Sequence, residues 1–334
     1  AGASAASGAA STGAPAAAPS GPVQTVKVAL TTGSITGAGI YVALERGYFK
    51  DVGLNIQVVP FGGGAAMISS IAASQVDVAD TDPGAGIWNA IARDLPMRIV
   101  ADGSRCDAKH CGTSFVIRKD IAPQFHSVAD LKGKNVVQFQ PGSTLYQLLY
   151  RMLANVNLTI NDVKTKQFVA FTDILPAFAN KAEDASWMIE PLATQGISQG
   201  LWVRYQTTMQ MFGPTQATMI VYSPNFSTQR KDAGQKFMVA YIKGIRDYLD
   251  AVDNNKDYDA VIGYLTKDST LKNPALYKQV GLPGYDPNGQ LDLASVKTIV
   301  DWFVQHGDIK TAPNLDQIYD PSYVNAALQV DGKR

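Results

Sequence analysis

Four short stretches of small residues place hydroxyls beside glycine in a pattern suited to holding a ligand by its polar groups. They are Thr31-Thr32-Gly33-Ser34 with Thr36 just beyond, Gly62-Gly63-Gly64, Thr81-Asp82-Pro83-Gly84 and Pro141-Gly142-Ser143-Thr144. Each stands just ahead of a helical pattern. A helix start leaves backbone N–H groups unpaired and carries about half a positive charge, so it attracts an anion. Glycine lets the backbone approach closely, and Ser or Thr adds a hydroxyl donor. Thr32, Ser34, Thr36, Gly63, Gly64, Thr81, Asp82, Gly142, Ser143 and Thr144 are therefore the candidate ligand contacts, with Ser143-Thr144 the strongest pair. Taken singly, each stretch reads better as an ordinary turn or a helix cap. Four at equivalent places favour a ligand for at least two of them.

Tyr41, one turn into the helix after the first loop, and Tyr222 offer an aromatic surface for a flat or methylated ligand, with Trp88 and Trp187 as further candidates. Aromatic side chains on a helix face or strand are more often core, and Trp187 reads as packing. Arg105 could grip a carboxylate or sulfonate through its planar fork, but reads more readily as an exposed loop charge. Catalysis has little support. His110, His126 and His306 stand beside no Ser or Cys in a nucleophile motif. G-x-S-x-G, a Walker loop, H-E-x-x-H and G-x-G-x-x-G after a strand are all missing. The chain is expected to bind rather than to transform, with no cofactor and no metal. Its two cysteines, Cys106 and Cys111, would form a small-loop disulfide in an oxidising compartment. The alternative, a metal pair helped by His110, lacks the second Cys or His pair that tetrahedral zinc needs.

These loops need a scaffold of alternating strands and helices, and the chain supplies one from Val23 onward. Val26–Leu30, Leu54–Val59, Val76–Ala79 and Met97–Ala101 read as strands, with helical spacing between them. Asp82-Pro83 suits the start of the helix that carries Trp88. Ser114–Arg118, Lys134–Gln140, 164–170, Ala185–Ile189 and Leu201–Tyr205 form a second series, and Thr218–Tyr222 returns to the first. A long helix through Phe237, Tyr241, Ile245 and Tyr248 follows. The alternation predicts an α/β fold with largely parallel sheets.

At 334 residues the chain is long enough for two domains, each with a full core. Lys plus Arg equals Asp plus Glu at 29 each, which removes the basic excess expected of a nucleic-acid binder. No apolar run is long enough to span a bilayer. Residues 1–22 hold only Ala, Gly, Ser, Thr, Pro and no charge until the strand series begins, and read as a flexible tether. That tether is either a processing remnant or the spacer of a lipid-anchored protein.

Several stretches resemble one known family. YVALERGYFKDVGLNIQVVPFGGG (41–64), SFVIRKDIAPQFHSVADLKGKNVVQFQPGSTLYQLLYRML (114–153), WMIEP (187–191) and HGDIKTAPNLDQIYDPSYVNAAL (306–328) are similar, in order and spacing, to the nitrate/sulfonate/taurine and thiamine-precursor branch of ABC-transporter substrate-binding proteins. Gln75, where that branch often has Gly, and Glu183-Asp184 depart from its pattern. The resemblance implies a two-lobed periplasmic-binding-protein fold of type II. Each lobe would be a mostly parallel sheet flanked by helices, with two hinge crossings near Gly112–Thr113 and Gly213–Gln216. Lobe I would then comprise 23–112 and 216–334, and lobe II 113–215. The implied protein is an extracytoplasmic monomer that closes on a small-molecule ligand and docks on an ABC permease with its cytoplasmic ATPase. Glu190 would face the cleft and meet an amine or amide, or serve closure. The first expectation is a small organic anion, a sulfonate or an aliphatic or aromatic carboxylate. The alternative is a thiamine-precursor pyrimidine or other nitrogen compound, held by Glu190, Asp80 and Asp82. A pyrimidine-synthesising enzyme of related fold comes last.

Overall fold

The computed structural model describes residues 22–93 and 95–334. The expected tether lies, Pro22 apart, outside the described residues. Among the described residues, ten strands make two five-stranded sheets. The first contains β1 (Gln24–Thr31), β2 (Leu54–Phe61), β3 (Val78–Thr81), β4 (Arg98–Cys106) and β10 (Thr215–Tyr222), in the order β2-β1-β3-β10-β4. The second contains β5 (Thr113–Arg118), β6 (Asn135–Gln138), β7 (Lys164–Gln167), β8 (Ala185–Ile189) and β9 (Trp202–Thr207), in the order β7-β6-β8-β5-β9.

The two orders match term by term. In each sheet four strands run one way and one runs against them, β10 in the first and β5 in the second. Each opposed strand is the one that arrives from the other sheet, β5 directly after β4 and β10 shortly after β9. The chain thus crosses between the lobes twice, and the mostly parallel, two-lobed α/β architecture expected from the sequence is the one observed.

Helices cover the sheets where the apolar spacing requires it. Leu148, Leu149, Met152 and Leu153 of the helix Thr144–Ala154 are buried in the second core, around Phe115, Val136 and Trp187. The long helix Lys231–Asn254 buries Phe237, Tyr241, Ile245 and Tyr248 against the first sheet, beside Val28, Ile40 and Tyr222. The helix Leu293–His306 starts on an Asp292 cap, stops at Gly307 in the left-handed conformation and joins a third cluster with Trp88, Met219 and Val221. Among the described residues, no helix is long and apolar enough to cross a membrane.

β4 runs five residues past its expected end. Asp102, Gly103, Ser104 and Arg105 carry no apolar alternation, yet they pair with the polar start of β10, Gln216 opposite Arg105 and Thr218 opposite Ser104. Their strand conformation is set by a partner more than 100 positions away, which no local pattern reports.

Candidate functional site: the cleft between the two sheets

Both sheets point the carboxyl ends of their parallel strands at one another. A cleft with about 970 Å³ of open space, partly continuous with solvent, lies between those ends. Thr31 ends β1, Gly63 and Gly64 follow β2, Asp80 and Asp82 sit at the end of β3, and Cys106 ends β4. From the other side Phe139 and Gln140 follow β6, Phe168 and Val169 follow β7, Ile189 ends β8 and Thr208 follows β9. The opposed strands add their amino ends, Thr113 of β5 and Thr215–Thr218 of β10. The apolar lining comes chiefly from the second lobe, with Phe139, Leu145, Leu148, Phe168, Phe171 and Ile189, while both lobes supply hydroxyls and an amide and the first lobe supplies the carboxylates. Among the described residues, no Lys, Arg or His lines the cleft.

Ser34, Thr36, Gly63, Gly64, Asp82, Ser143 and Thr144 of the sequence candidates line this space. Ser34 and Thr36 lie in the turn after β1, where the Thr36 N–H donates to Ser34 Oγ at 3.1 Å. Ser143 caps its own helix by accepting the Tyr146 N–H at 3.3 Å. Gly64 is kept small by its surroundings: a Cβ there would fall 2.2 Å from Asp82 Oδ1. Gly142 does not line the cleft. Its left-handed φ of 82° suits glycine, and its carbonyl accepts the Ala85 N–H at 2.6 Å, a bond between the lobes.

The other candidates sit elsewhere. Tyr41 is 6% exposed in the first core, and burial, with Asp268 and Asp80 nearby, pushes its phenol up. Tyr222 is fully buried and donates to the Gly234 carbonyl at 2.7 Å. Both aromatic candidates fill the core because each lies on an element's inward face. Trp88 and Trp187 are core residues too. Thr32 is exposed outside the cleft, and Thr81 is buried behind Gly64. Arg105 belongs to β4 and pairs with the buried Asp102 at 3.1 Å.

Glu190 stands where the closure alternative put it rather than at the ligand space. Its carboxylate is 2% exposed and does not line the cleft. It pairs with Arg204, accepts the Thr194 N–H at 3.0 Å and the Gly281 N–H at 3.2 Å. Its own carbonyl accepts the Ile35 N–H at 3.3 Å. Glu190 follows β8 of the second sheet, whereas Ile35 and Gly281 pack with the first, so its bonds join the lobes.

Asp82 does the converse. It reaches from the end of β3 to accept the Thr144 N–H at 2.8 Å and the Thr144 hydroxyl. The helix after it begins at Ala85 behind Gly84 and takes no side-chain cap. Asp82 thus caps a helix of the opposite lobe rather than its own. A third tie links the helices Thr144–Ala154 and Leu293–His306, where Gln147 donates to the Ile299 carbonyl at 3.0 Å and Tyr150 meets His306 edge-on at 5.0 Å.

Asp80 is the polar group that sequence reading named only for a nitrogen ligand and that the structure makes central. It is 2% exposed, and neither oxygen has a hydrogen-bond partner of normal geometry. Its place depends on Gly103, where a Cβ would stand 2.6 Å from Asp80 Oδ1. Burial pushes its carboxyl up to about 6, with Asp102 and Asp82 acting the same way and the nearby Thr218 and Thr36 hydroxyls opposing. Asp102, by contrast, is held by Arg105, Gln216 and the Asp286 N–H. Cys106 at the cleft wall is joined to Cys111 in a disulfide within the first crossing. The residues sequence reading missed, Phe139, Phe168 and Phe171 above all, carry no motif; a hydrophobic residue just past a strand end was their one signal.

Comparison with known proteins agrees with this architecture. The family model described as NMT1/THI5 like matches residues 35–253. The putative binding protein YtlA of Bacillus subtilis is 25% identical over 243 residues, covering 70% of this chain and 71% of its own. The periplasmic nitrate-binding protein NrtA of Synechocystis superposes with a TM-score of 0.74 at 15% identity, over 92% of this chain and 89% of its own. The desulfurization enzyme DszB superposes with a TM-score of 0.67 at 16% identity, over 92% of this chain and 99% of its own. Two likenesses at such identity speak for the fold, which serves both binding and catalysis.

Proposed function

Because the chain belongs to the NMT1/THI5 like family, we propose that it is the solute-binding component of an ABC importer, holding a small organic molecule between its lobes outside the cytoplasm. The first lobe would comprise 23–112 and 216–334 and the second 113–215. The observation that carries the proposal is the cleft lined from both sheets, whose lobes are tied by two carboxylates, Asp82 at the cleft and Glu190 outside it. Such a body opens at its crossings, admits a solute and closes on it. Closed, it would present one fixed surface to a permease and its ATPase. The side chains lining the cleft favour retention over turnover. They are hydroxyls, amides, two carboxylates and apolar groups, and the one cysteine is bonded.

An organic anion was the first expectation, and helix starts at the cleft would suit one. However, the Asp82 carboxylate already takes the Thr144 N–H and lies against Gly64, the start of another helix. The positive ends are met by the protein's own anion. The test is to purify the chain, identify co-purified small molecules by mass spectrometry, strip them by unfolding, and screen the refolded protein by thermal shift. A solute recovered unchanged that raises the melting temperature supports the proposal; a chemically altered one, or no stabilising solute at all, refutes it.

A further inference from the structure

We infer that the solute carries a cationic nitrogen group, an ammonium, amidine or guanidinium, which binds Asp80, and an apolar or aromatic body that packs on the second lobe. The inference rests on the importer reading and names the ligand class of that same cleft.

An ionised carboxylate taken out of water needs hydrogen bonds or an opposite charge. Asp102 and Glu190, equally buried, have both. Asp80 has no cation beside it and no hydrogen bond of normal geometry, only the neighbouring Thr36 and Thr218 hydroxyls. Glycine at 103 leaves room for the Asp80 carboxylate where any side chain would collide with it. The site is thus built around a carboxylate that lacks a charged partner in the chain, buried at the wall of the space the ligand would fill. The Thr36 and Thr218 hydroxyls flank it as further acceptors for ligand N–H groups. With no Lys, Arg or His among the described residues of the lining, an anion would find two carboxylates there and no positive side chain. Phe139, Phe168 and Phe171 of the second lobe line the same cleft and suit a ring or alkyl body and the face of a cation.

The experiment uses probes of one shape and different charge: benzamidine, benzamide and benzoate, with benzylammonium and benzenesulfonate as a second pair. Calorimetry and thermal shift on the full, ligand-stripped chain at pH 7.5 should show the cations binding at least tenfold more tightly than the neutral amide, and the anions not at all. Asp80→Asn should remove that preference while leaving benzamide within a fewfold, as expected for a lost charge-assisted hydrogen bond. Should Asp80→Asn not fold, the order of wild-type affinities decides alone. Anions binding more tightly than cations would overturn the cationic assignment and leave the importer reading standing. If neither probes nor any cell-derived solute bind, both readings fall together.

Discussion

The Asp82 carboxylate of one lobe caps the amino end of a helix in the other, 2.8 Å from the Thr144 N–H. A capping contact that normally fixes a local helix start here fixes the spacing of two domains. Asp82 lines the cleft and at the same time ties the two lobes together.

Replacing Asp82 should therefore loosen closure regardless of what the ligand is. Asp82→Ala removes two hydrogen bonds to a charged acceptor, about 1.5 to 3 kcal/mol of support for the closed state. The ligand-free variant should scatter X-rays with a larger radius of gyration, and affinity for every solute should fall by roughly ten- to a hundredfold. An unchanged scattering profile together with unchanged affinity would remove Asp82 from closure.

Glu190 should matter for stability first. Glu190→Ala strands Arg204 and leaves the Thr194 and Gly281 N–H groups unpaired, at a cost of about 3 to 5 kcal/mol. Urea unfolding should show a lowered midpoint at constant slope. Its effect on binding should be the same for cationic and neutral probes, in contrast to Asp80→Asn. A charge-selective loss at Glu190 would place it at the ligand after all.

Asp80 predicts an unusual pH dependence. Its carboxyl is raised to about 6, whereas an unfolded aspartate titrates near 4. Between those values the folded chain holds a proton that the unfolded chain has lost, so stability is full below about pH 4, falls as pH rises to 6, and is flat above. The Asp80 share is at most about 3 kcal/mol. Asp102, raised to about 6 chiefly by burial, adds the same sign. Of the groups facing Asp80, Asp82 adds negative charge, while Tyr41, Tyr241 and Tyr285 stay protonated through this range. Denaturation of the ligand-free chain between pH 4 and 7.5 should show the decline, and Asp80→Asn should make it shallower. A slope identical in the variant would mean that Asp80 ionises in the folded chain as readily as in the unfolded one. Cationic probes should bind more weakly below pH 6, where Asp80 is protonated.

Alternating strand and helix spacing, glycine-hydroxyl loops and the ordered YVALERGYFK, ADLKGK and WMIEP stretches were enough to predict two α/β lobes with a ligand site at the strand ends. Those features are local: a strand's β-branched run and a helix's apolar stripe are written in neighbouring residues. What each carboxylate does is not written there. Asp80, Asp82 and Glu190 all follow or end a buried strand, and nothing nearby distinguishes them. Asp82 meets Thr144, Glu190 meets Arg204 and Gly281, and Asp80 meets none of these, because the partners come from segments 14 to 91 positions away. Packing likewise separates Tyr41 and Tyr222, enclosed in the first core, from Phe139, Phe168 and Phe171, which border the cleft. A side chain's role follows from what surrounds it, and those surroundings exist only once two sheets made of distant segments face each other.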